Sequence, residues 1–97
     1  MTDDKRAPDV ELLKAHHRFP GSFEVKAFGP STPEFRQSVL SAVNGVHGVA
    51  EAEVARENRT RSGDRCSLTV RLQAETAEVV LEVYDRLHEV HGLTLLL

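Results

Sequence analysis

The chain has few of the residues that mark specialised classes of protein. It contains one cysteine, Cys66, no tryptophan and only 5% aromatic residues. A single cysteine excludes an intrachain disulfide. The formal net charge is −3, whereas domains that bind nucleic acid through its phosphates usually carry an excess of basic residues. The composition therefore argues against a disulfide scaffold and against a nucleic-acid-binding protein.

Long apolar runs are also missing. No stretch approaches the roughly 20 apolar residues that a membrane-spanning helix needs, and the polar start of the chain, residues 1–6, has no apolar core of a signal peptide. We therefore expect no membrane partner and place the protein in the cytoplasm. The 97 residues suffice for one hydrophobic core.

The hydrophobic residues that are present change their spacing in a fixed order between Phe19 and Leu97. The spacing first has period two, as in a strand, and then helical period. Two further stretches of period two follow, and after them come a second helical stretch and a short apolar end. This order predicts an α+β fold, the ferredoxin-like split βαβ (β-α-β-β-α-β), with a four-stranded antiparallel sheet and two helices on one face. We assign residues 1–18 to an N-terminal extension that is partly disordered, and residues 19–97 to a single ferredoxin-like domain.

The N-terminal half contains three predicted elements. Asp9 has the position of an N-cap for a short helix whose inward residues are Val10, Leu13 and Leu12. The first strand is expected over residues 22–28, where Gly29-Pro30 ends it. The first long helix runs to about residue 44, and Ser31 lies three residues before Glu34, the spacing of a capping box.

The C-terminal half is predicted to contain a hairpin, a helix and a last strand. Residues 49–58 alternate, with Ala50, Ala52 and Val54 on one face, and residues 65–73 alternate most clearly. Thr76 is expected to cap the next helix and Gly92 to close it, before a strand over residues 93–97. The predicted core residues are Val25, Val39, Val43, Leu68, Val70, Val80, Val83 and Leu87.

Several segments resemble the YbeD-like family of small bacterial proteins. The similar segments are Phe19–Gly29, Arg61-Ser62-Gly63, Ser67-Leu68-Thr69-Val70, Tyr84–Leu87 and the apolar C-terminus. The resemblance implies a fold similar to the amino-acid-binding regulatory (ACT) domains and a proposed lipoate-linked regulatory role. This chain has Arg65 where the family often has an aromatic residue two positions after the hairpin glycine, which alters any binding surface to which that aromatic contributes.

Five histidines raise the question of a metal site. His16 and His17 are adjacent, and His88 and His91 lie three residues apart on a predicted helix. A zinc site needs three or four converging ligands, and the second pair supplies two. We interpret that pair as cations in the last helical turn, where they complement the helix dipole, and expect no metal and no other cofactor.

Cys66 is the one candidate for a nucleophile. It alternates with Leu68 and Val70, so we expect its side chain to face the core, where a cysteine usually acts as a small hydrophobic residue. No catalytic residues are predicted, and the chain is not expected to be an enzyme.

An arginine-rich hairpin is the strongest candidate site. Guanidinium groups and turn amides bind phosphates or carboxylates. The alternative is a solvated turn balanced by Glu57 and Asp64. The candidate residues in this hairpin are Arg56, Arg59, Arg61, Ser62, Gly63 and Arg65.

The junction between the first strand and the first long helix is a second candidate, with Gly29 and Ser31 as its residues. Free amides at a helix N-terminus bind anions. Glycine, proline and serine are equally common in any turn that joins a strand to a helix, so a purely structural role is the alternative.

The sheet face without helices is a third surface. RNA-recognition domains of this fold stack bases on aromatic residues of this face, and the third strand has no aromatic residue, so we expect no RNA binding. A polar face of this kind can pair with a second sheet or a partner. Its predicted residues are Glu24, Lys26, Phe28, Glu51, Glu53, Ser67, Thr69 and Arg71.

The leading hypothesis is therefore a non-enzymatic regulatory or adaptor domain. It would bind a protein partner or a small anionic ligand, and it would form a homodimer through a sheet edge. Two alternatives stay open: a small enzyme that uses a histidine or Cys66, and a structural interaction module without a ligand.

Overall fold

A computed structural model describes residues 8–97. Within them the chain forms three helices and four strands. Part of the extension over residues 1–18, which is expected to be partly disordered, lies outside this range, namely residues 1–7. The elements are α1 (Val10–His16), β1 (Gly21–Pro30), α2 (Pro33–Asn44), β2 (Val49–Arg59), β3 (Arg65–Ala74), α3 (Ala77–His88) and β4 (Leu95–Leu96).

The four strands form one antiparallel sheet in the order β2-β3-β1-β4. The two central strands, β1 and β3, pair over their full length, from Gly21 opposite Ala74 to Pro30 opposite Arg65. The long helices cover one face, and the other face, here called the open face, carries no helix. The predicted ferredoxin-like plan is confirmed.

The core lies between the helices and the covered face of the sheet. All eight predicted core residues are buried, and Leu68 and Leu87 are completely so. The short helix α1 joins this core through the buried Leu13, and Lys14 forms an ion pair with Glu78 of α3 at 3.2 Å. The expectation for Leu12 is wrong, because its side chain is 58% exposed.

The cap of α2 differs from the predicted one. Thr32, rather than Ser31, is the N-cap, and its hydroxyl accepts a hydrogen bond from the amide of Phe35 at 3.1 Å. Pro33 occupies the first helical turn, where its missing N–H costs nothing. The cap of α3 is confirmed, because Thr76 accepts a hydrogen bond from the amide of Val79 at 3.3 Å.

Three element ends also differ. Gly29-Pro30 does not end β1, because both residues continue the pairing with β3. Gly92 does not close α3, which ends at His88 with Glu89 as its C-cap. Gly92 lies in the following turn with φ +94°. The last strand is shorter than expected, since only Leu95–Leu96 pair with β1 as a ladder.

Strand β2 is irregular. Its register against β3 shifts between Ala50 and Glu53 and again between Val54 and Arg56, and Glu51 has φ +57°. Each bulge adds a residue, which moves the following side chains to the opposite face. Ala50 is therefore exposed, and the prediction that it shares a face with Ala52 and Val54 is wrong.

No helix within residues 8–97 is long and apolar enough to cross a membrane.

Candidate functional site

The turn between β2 and β3 is closed by its own polar groups. Gly63 has φ +85°, a conformation that glycine adopts without strain, and its amide donates to the carbonyl of Thr60 at 2.9 Å. The hydroxyl of Ser62 accepts a hydrogen bond from the amide of Asp64 at 3.4 Å. Ser62 and Gly63, two predicted site residues, thus shape the turn that presents the arginines.

The junction between β1 and α2 lies at this same end of the sheet. The amide of Ser31 donates to the carbonyl of Asp64 at 2.9 Å, and Gly29 pairs with Cys66. The structure therefore brings the two predicted candidates, the arginine hairpin and the strand–helix junction, into one region, here called the hairpin end.

The four predicted arginines point to different sides of this region. The register places Arg56 opposite Thr69 and Arg59 opposite Cys66. Because Cys66 belongs to the core face and Thr69 to the other, Arg56 lies on the open face and Arg59 on the helix side. Arg65 begins β3 on the open face, and the exposed Arg61 is in the turn.

Two of these arginines are held in place by other side chains. Arg59 Nε donates to Glu57 Oε2 at 3.0 Å, and Arg36 of α2 binds the other oxygen of the same carboxylate. Arg65 Nη2 donates to Thr94 Oγ1 at 3.2 Å. Within residues 8–97 no ion pair reaches Arg56 or Arg61, so these two guanidinium groups retain all their donors.

A shallow cleft of about 270 Å³ lies at the hairpin end, and of the four arginines Arg59 and Arg65 line it. Phe28, Ser67 and Asn58 are neighbours on three adjacent strands at its base, and Arg65 and Thr94 stand beside it. Phe28 is half-buried. The cleft thus offers an aromatic surface, small hydrogen-bonding groups and a fixed guanidinium to one small anionic group.

The two junction residues differ in what they can contribute. A Cβ on Gly29 would collide with the ring of buried Phe35, so packing alone requires glycine there. The hydroxyl of Ser31, in contrast, is buried and has no hydrogen-bond partner within the described chain. Gly29 therefore contributes its backbone to the lining of the cleft, whereas Ser31 does not line it.

Cys66 faces the core as expected. The residue is 5% exposed, and its thiol donates a hydrogen bond to the carbonyl oxygen of Pro30 at 3.6 Å. Burial raises the pKa of Cys66, and the negative charge of Glu57 raises it further, whereas the nearby arginines oppose both effects. The thiol therefore stays protonated at neutral pH, which disfavours it as a nucleophile.

The histidines do not converge. Within residues 8–97, no three His, Cys, Asp or Glu side chains are placed to hold a metal ion. His88 lies in the last turn of α3 as predicted, but His91 lies beyond the helix end, so the two are not on one helical face.

We therefore expect the melting temperature to be insensitive to chelators. A structural metal contributes directly to folding, so its removal lowers the melting temperature. Because no set of ligands within residues 8–97 could hold one, treatment with EDTA and then zinc should leave the thermal unfolding curve unchanged. A fall of several degrees that zinc reverses would contradict this and would require the histidines to converge.

A larger cleft, about 750 Å³, lies between the end of α1 and the start of α3. It is lined by Lys14, His16, His17 and Arg18, and by the acids Glu75 and Glu78. A hydrogen bond to its own amide and the neighbouring Lys14 lower the pKa of Glu78. Sequence reasoning missed this cleft because the docking of α1 on α3 leaves no local pattern. Its acids already offset its bases, so it is a weaker anion site than the hairpin end.

Comparison with known proteins gives one result. No curated protein and no solved structure matches the chain. The model of one family, described as a protein of unknown function (DUF493), matches residues 14–97, which include all four strands and both long helices. The chain is a member of the DUF493 family.

Proposed function

We propose that this protein is a non-enzymatic regulatory or adaptor domain that binds an anionic group at its hairpin end. The group is a carboxylate or phosphate, carried either by an acidic protein partner or by a small anionic ligand. The observation that supports this most directly is the cleft at the hairpin end: Arg59 and Arg65 line it, Thr94 holds Arg65 there, and the exposed Arg61 lies in the adjoining turn.

The charge distribution supports the same role. The chain as a whole has a net charge of −3, yet four arginines fall within the ten residues 56–65. A positive end on a negative body steers anionic partners toward one place and repels them elsewhere. Planar guanidinium groups also bind carboxylates and phosphates with two parallel hydrogen bonds, which gives the contact a direction.

A binding role fits the chemistry of the site better than catalysis. The one thiol is buried and protonated, and the described histidines lie outside the cleft. The resemblance to YbeD-like proteins and to ACT regulatory domains favours a regulatory role linked to lipoate in a bacterial cytoplasm. The replacement of the family's aromatic residue by Arg65 favours an anionic ligand in this chain.

We expect the double substitution Arg59→Ala and Arg61→Ala to weaken binding of an anionic probe at least about fivefold at low salt. Each exposed charge contributes up to about 1 kcal/mol, and about 1.4 kcal/mol corresponds to tenfold in affinity. The probes are a hexaglutamate peptide and inorganic phosphate, titrated against ¹⁵N-labelled protein. Amide shifts should concentrate at Gly29, Arg65 and Ser67.

The matched control is Lys14→Ala with Arg18→Ala, which removes two positive charges from the cleft between α1 and α3. This variant should bind both probes as the wild type does. Raising the salt concentration should weaken binding to the wild type, because exposed charges are screened. Equal affinity of the hairpin variant and the wild type would contradict the proposal, and so would shifts confined to the other cleft.

The two sources of the anionic group are separated by comparing the probes. A partner protein would present several carboxylates, so hexaglutamate should bind more tightly than phosphate. A small ligand would occupy the cleft alone, so phosphate should bind at least as tightly as the peptide.

A further inference from the structure

The open face of the sheet is organised in rows that run across the strands. The register places Arg56, Thr69 and Lys26 side by side on β2, β3 and β1, and Leu97 exchanges two backbone hydrogen bonds with Lys26. We call these four residues the cationic row. The next row toward the other end of the sheet holds Glu53, Arg71 and Glu24. We call these three the acidic row.

The two rows carry opposite net charge. The cationic row has two positive side chains and no acid, and within residues 8–97 neither Arg56 nor Lys26 forms an ion pair. The acidic row has two acids for one base, with Arg71 held 3.0 Å from Glu24 and 3.7 Å from Glu53. Successive rows on one face of a sheet are about 7 Å apart, so the face alternates in sign over a short distance.

The open face also leaves contacts unmade. The hydroxyl of Thr69, in the middle of the cationic row, is buried and has no hydrogen-bond partner within the described chain, and Thr69 is only 1% exposed. At the β4 side, Leu95 is 40% exposed and Leu97 is 61% exposed, next to the half-buried Phe28. The Thr69 hydroxyl is enclosed and out of reach of a partner, whereas the adjacent exposed apolar side chains favour coverage by one.

The edges of the sheet are poor sites for pairing with a second sheet. Strand β2 has two bulges, which bend an edge strand and interrupt its ladder. On the other side, β4 covers β1 only near Ala27 and Phe28, so this margin is stepped and offers no straight full-length strand. The open face is the larger continuous surface, so the structure favours contact between faces over the edge contact expected from the sequence.

We infer that the open face binds a second copy of this chain. The two-fold axis of this dimer lies in the interface, parallel to the rows and midway between the cationic row and the acidic row. Rotation about it places the cationic row of each copy against the acidic row of the other. Lys26 then faces Glu24 of the second copy, and Arg56 faces Glu53 of the second copy. Thr69 lies opposite the second copy's Arg71, although its hydroxyl is enclosed within each copy and makes no contact across the interface. The alternative axis, parallel to the strands, places the cationic rows of both copies against each other.

The area of the face agrees with a weak dimer. Three long strands, about 4.8 Å apart and about ten residues long at about 3.3 Å per residue, cover roughly 500 Å² on each copy. The pair buries about 1,000 Å² in total, which reaches the lower limit of specific interfaces. An interface of this size belongs with weak, transient complexes.

This interface and the anion site at the hairpin end meet at the row formed by Phe28, Ser67 and Asn58, so the second copy and the anionic group compete for the base of the cleft. The axis reverses the strand direction, so the two hairpins lie at opposite ends of the pair, and Arg61 stays exposed in each. The second copy covers the base of the hairpin cleft with the row formed by Ser22, Gln73 and Ala50.

The test uses two charge reversals, Lys26→Glu and Glu24→Lys, followed by sedimentation equilibrium at low salt. The wild type should be dimeric at 100 µM. In each variant alone, like charges meet twice across the axis, so its dissociation constant should rise at least about tenfold. An equimolar mixture of the two variants restores opposite charges at both contacts, and native mass spectrometry should show the heterodimer.

The control is Lys14→Glu, which makes the same charge change away from the open face and should leave the wild-type dimer intact. Circular dichroism spectra of all variants should coincide, because the altered side chains are exposed. A monomeric wild type at 100 µM overturns the inference. So does a dimer that is insensitive to Lys26→Glu, which would place the contact at an edge, or a mixture that stays monomeric.

Discussion

Replacing Leu68 with alanine is expected to lower the free energy of unfolding by about 2–5 kcal/mol, the usual cost of truncating a buried leucine. Leu68 is completely buried at the middle of the sheet, with Ala27 of β1 on one side and Glu57 of β2 on the other. Its side chain belongs to the core between sheet and helices, so truncation removes apolar contacts and leaves a cavity that the rigid central strands cannot close.

Urea denaturation followed by circular dichroism measures this change. The matched control is Leu12→Ala, because Leu12 is 58% exposed on α1 and its truncation should change the free energy of unfolding by less than about 0.5 kcal/mol. A loss below about 0.5 kcal/mol for Leu68→Ala would mean that the register of β3 is shifted by one residue, which would turn Leu68 to the open face.

The substitution Gly29→Ala should also destabilise the protein, by about 1–3 kcal/mol, the cost of forcing an extra methyl group into a packed core. An added Cβ at this position would overlap three atoms of the Phe35 ring, and that ring is only 3% exposed. The ring can move only by displacing other core side chains. Gly29 was predicted as a ligand-binding residue, and this experiment measures its structural role separately.

A double-mutant cycle identifies the collision as the cause. In a Phe35→Leu background the smaller side chain leaves room for the methyl group, so Gly29→Ala should cost clearly less than in the wild type. Thermal unfolding of the four proteins provides the comparison. The same cost in both backgrounds would show that Phe35 is not the obstacle, and no cost in either would show that β1 lies farther from α2.

The strands and helices were predictable wherever the spacing of hydrophobic residues within one segment indicates which of its side chains are buried. The alternation of β3 places Cys66, Leu68, Val70 and Leu72 on the buried face without knowledge of any other strand. The cap of α2 was less predictable, because Ser31 and Thr32 are adjacent and both residue types make good N-caps. The structure selects Thr32 because the amide of Ser31 already bonds to Asp64, 33 positions farther along the chain.

The candidate site was only partly predictable, for a related reason. The composition of the hairpin identified the arginines, but the bulges of β2 decide that Arg56 and Arg59 lie on opposite faces. A bulge depends on how one strand fits its neighbour, and neither strand alone encodes it. The meeting of Ser31 with the hairpin, and of Phe28 with Ser67 and Asn58, likewise arises from strand pairing between distant segments.

The irregular β2 and the short β4 have a consequence for assembly. A two-fold interface buries the same patch on both copies. The dimer is therefore closed, and no free patch remains to bind a third copy. Further growth would have to proceed by adding strands at the sheet margins, as in fibrils. One margin is bent by two bulges and carries the charges of Glu51 and Glu53, and the other is stepped, because the two-residue β4 covers only part of the edge of β1. Neither margin offers a straight, uninterrupted strand for such growth, so we expect the protein to stay in small, finite particles even at high concentration.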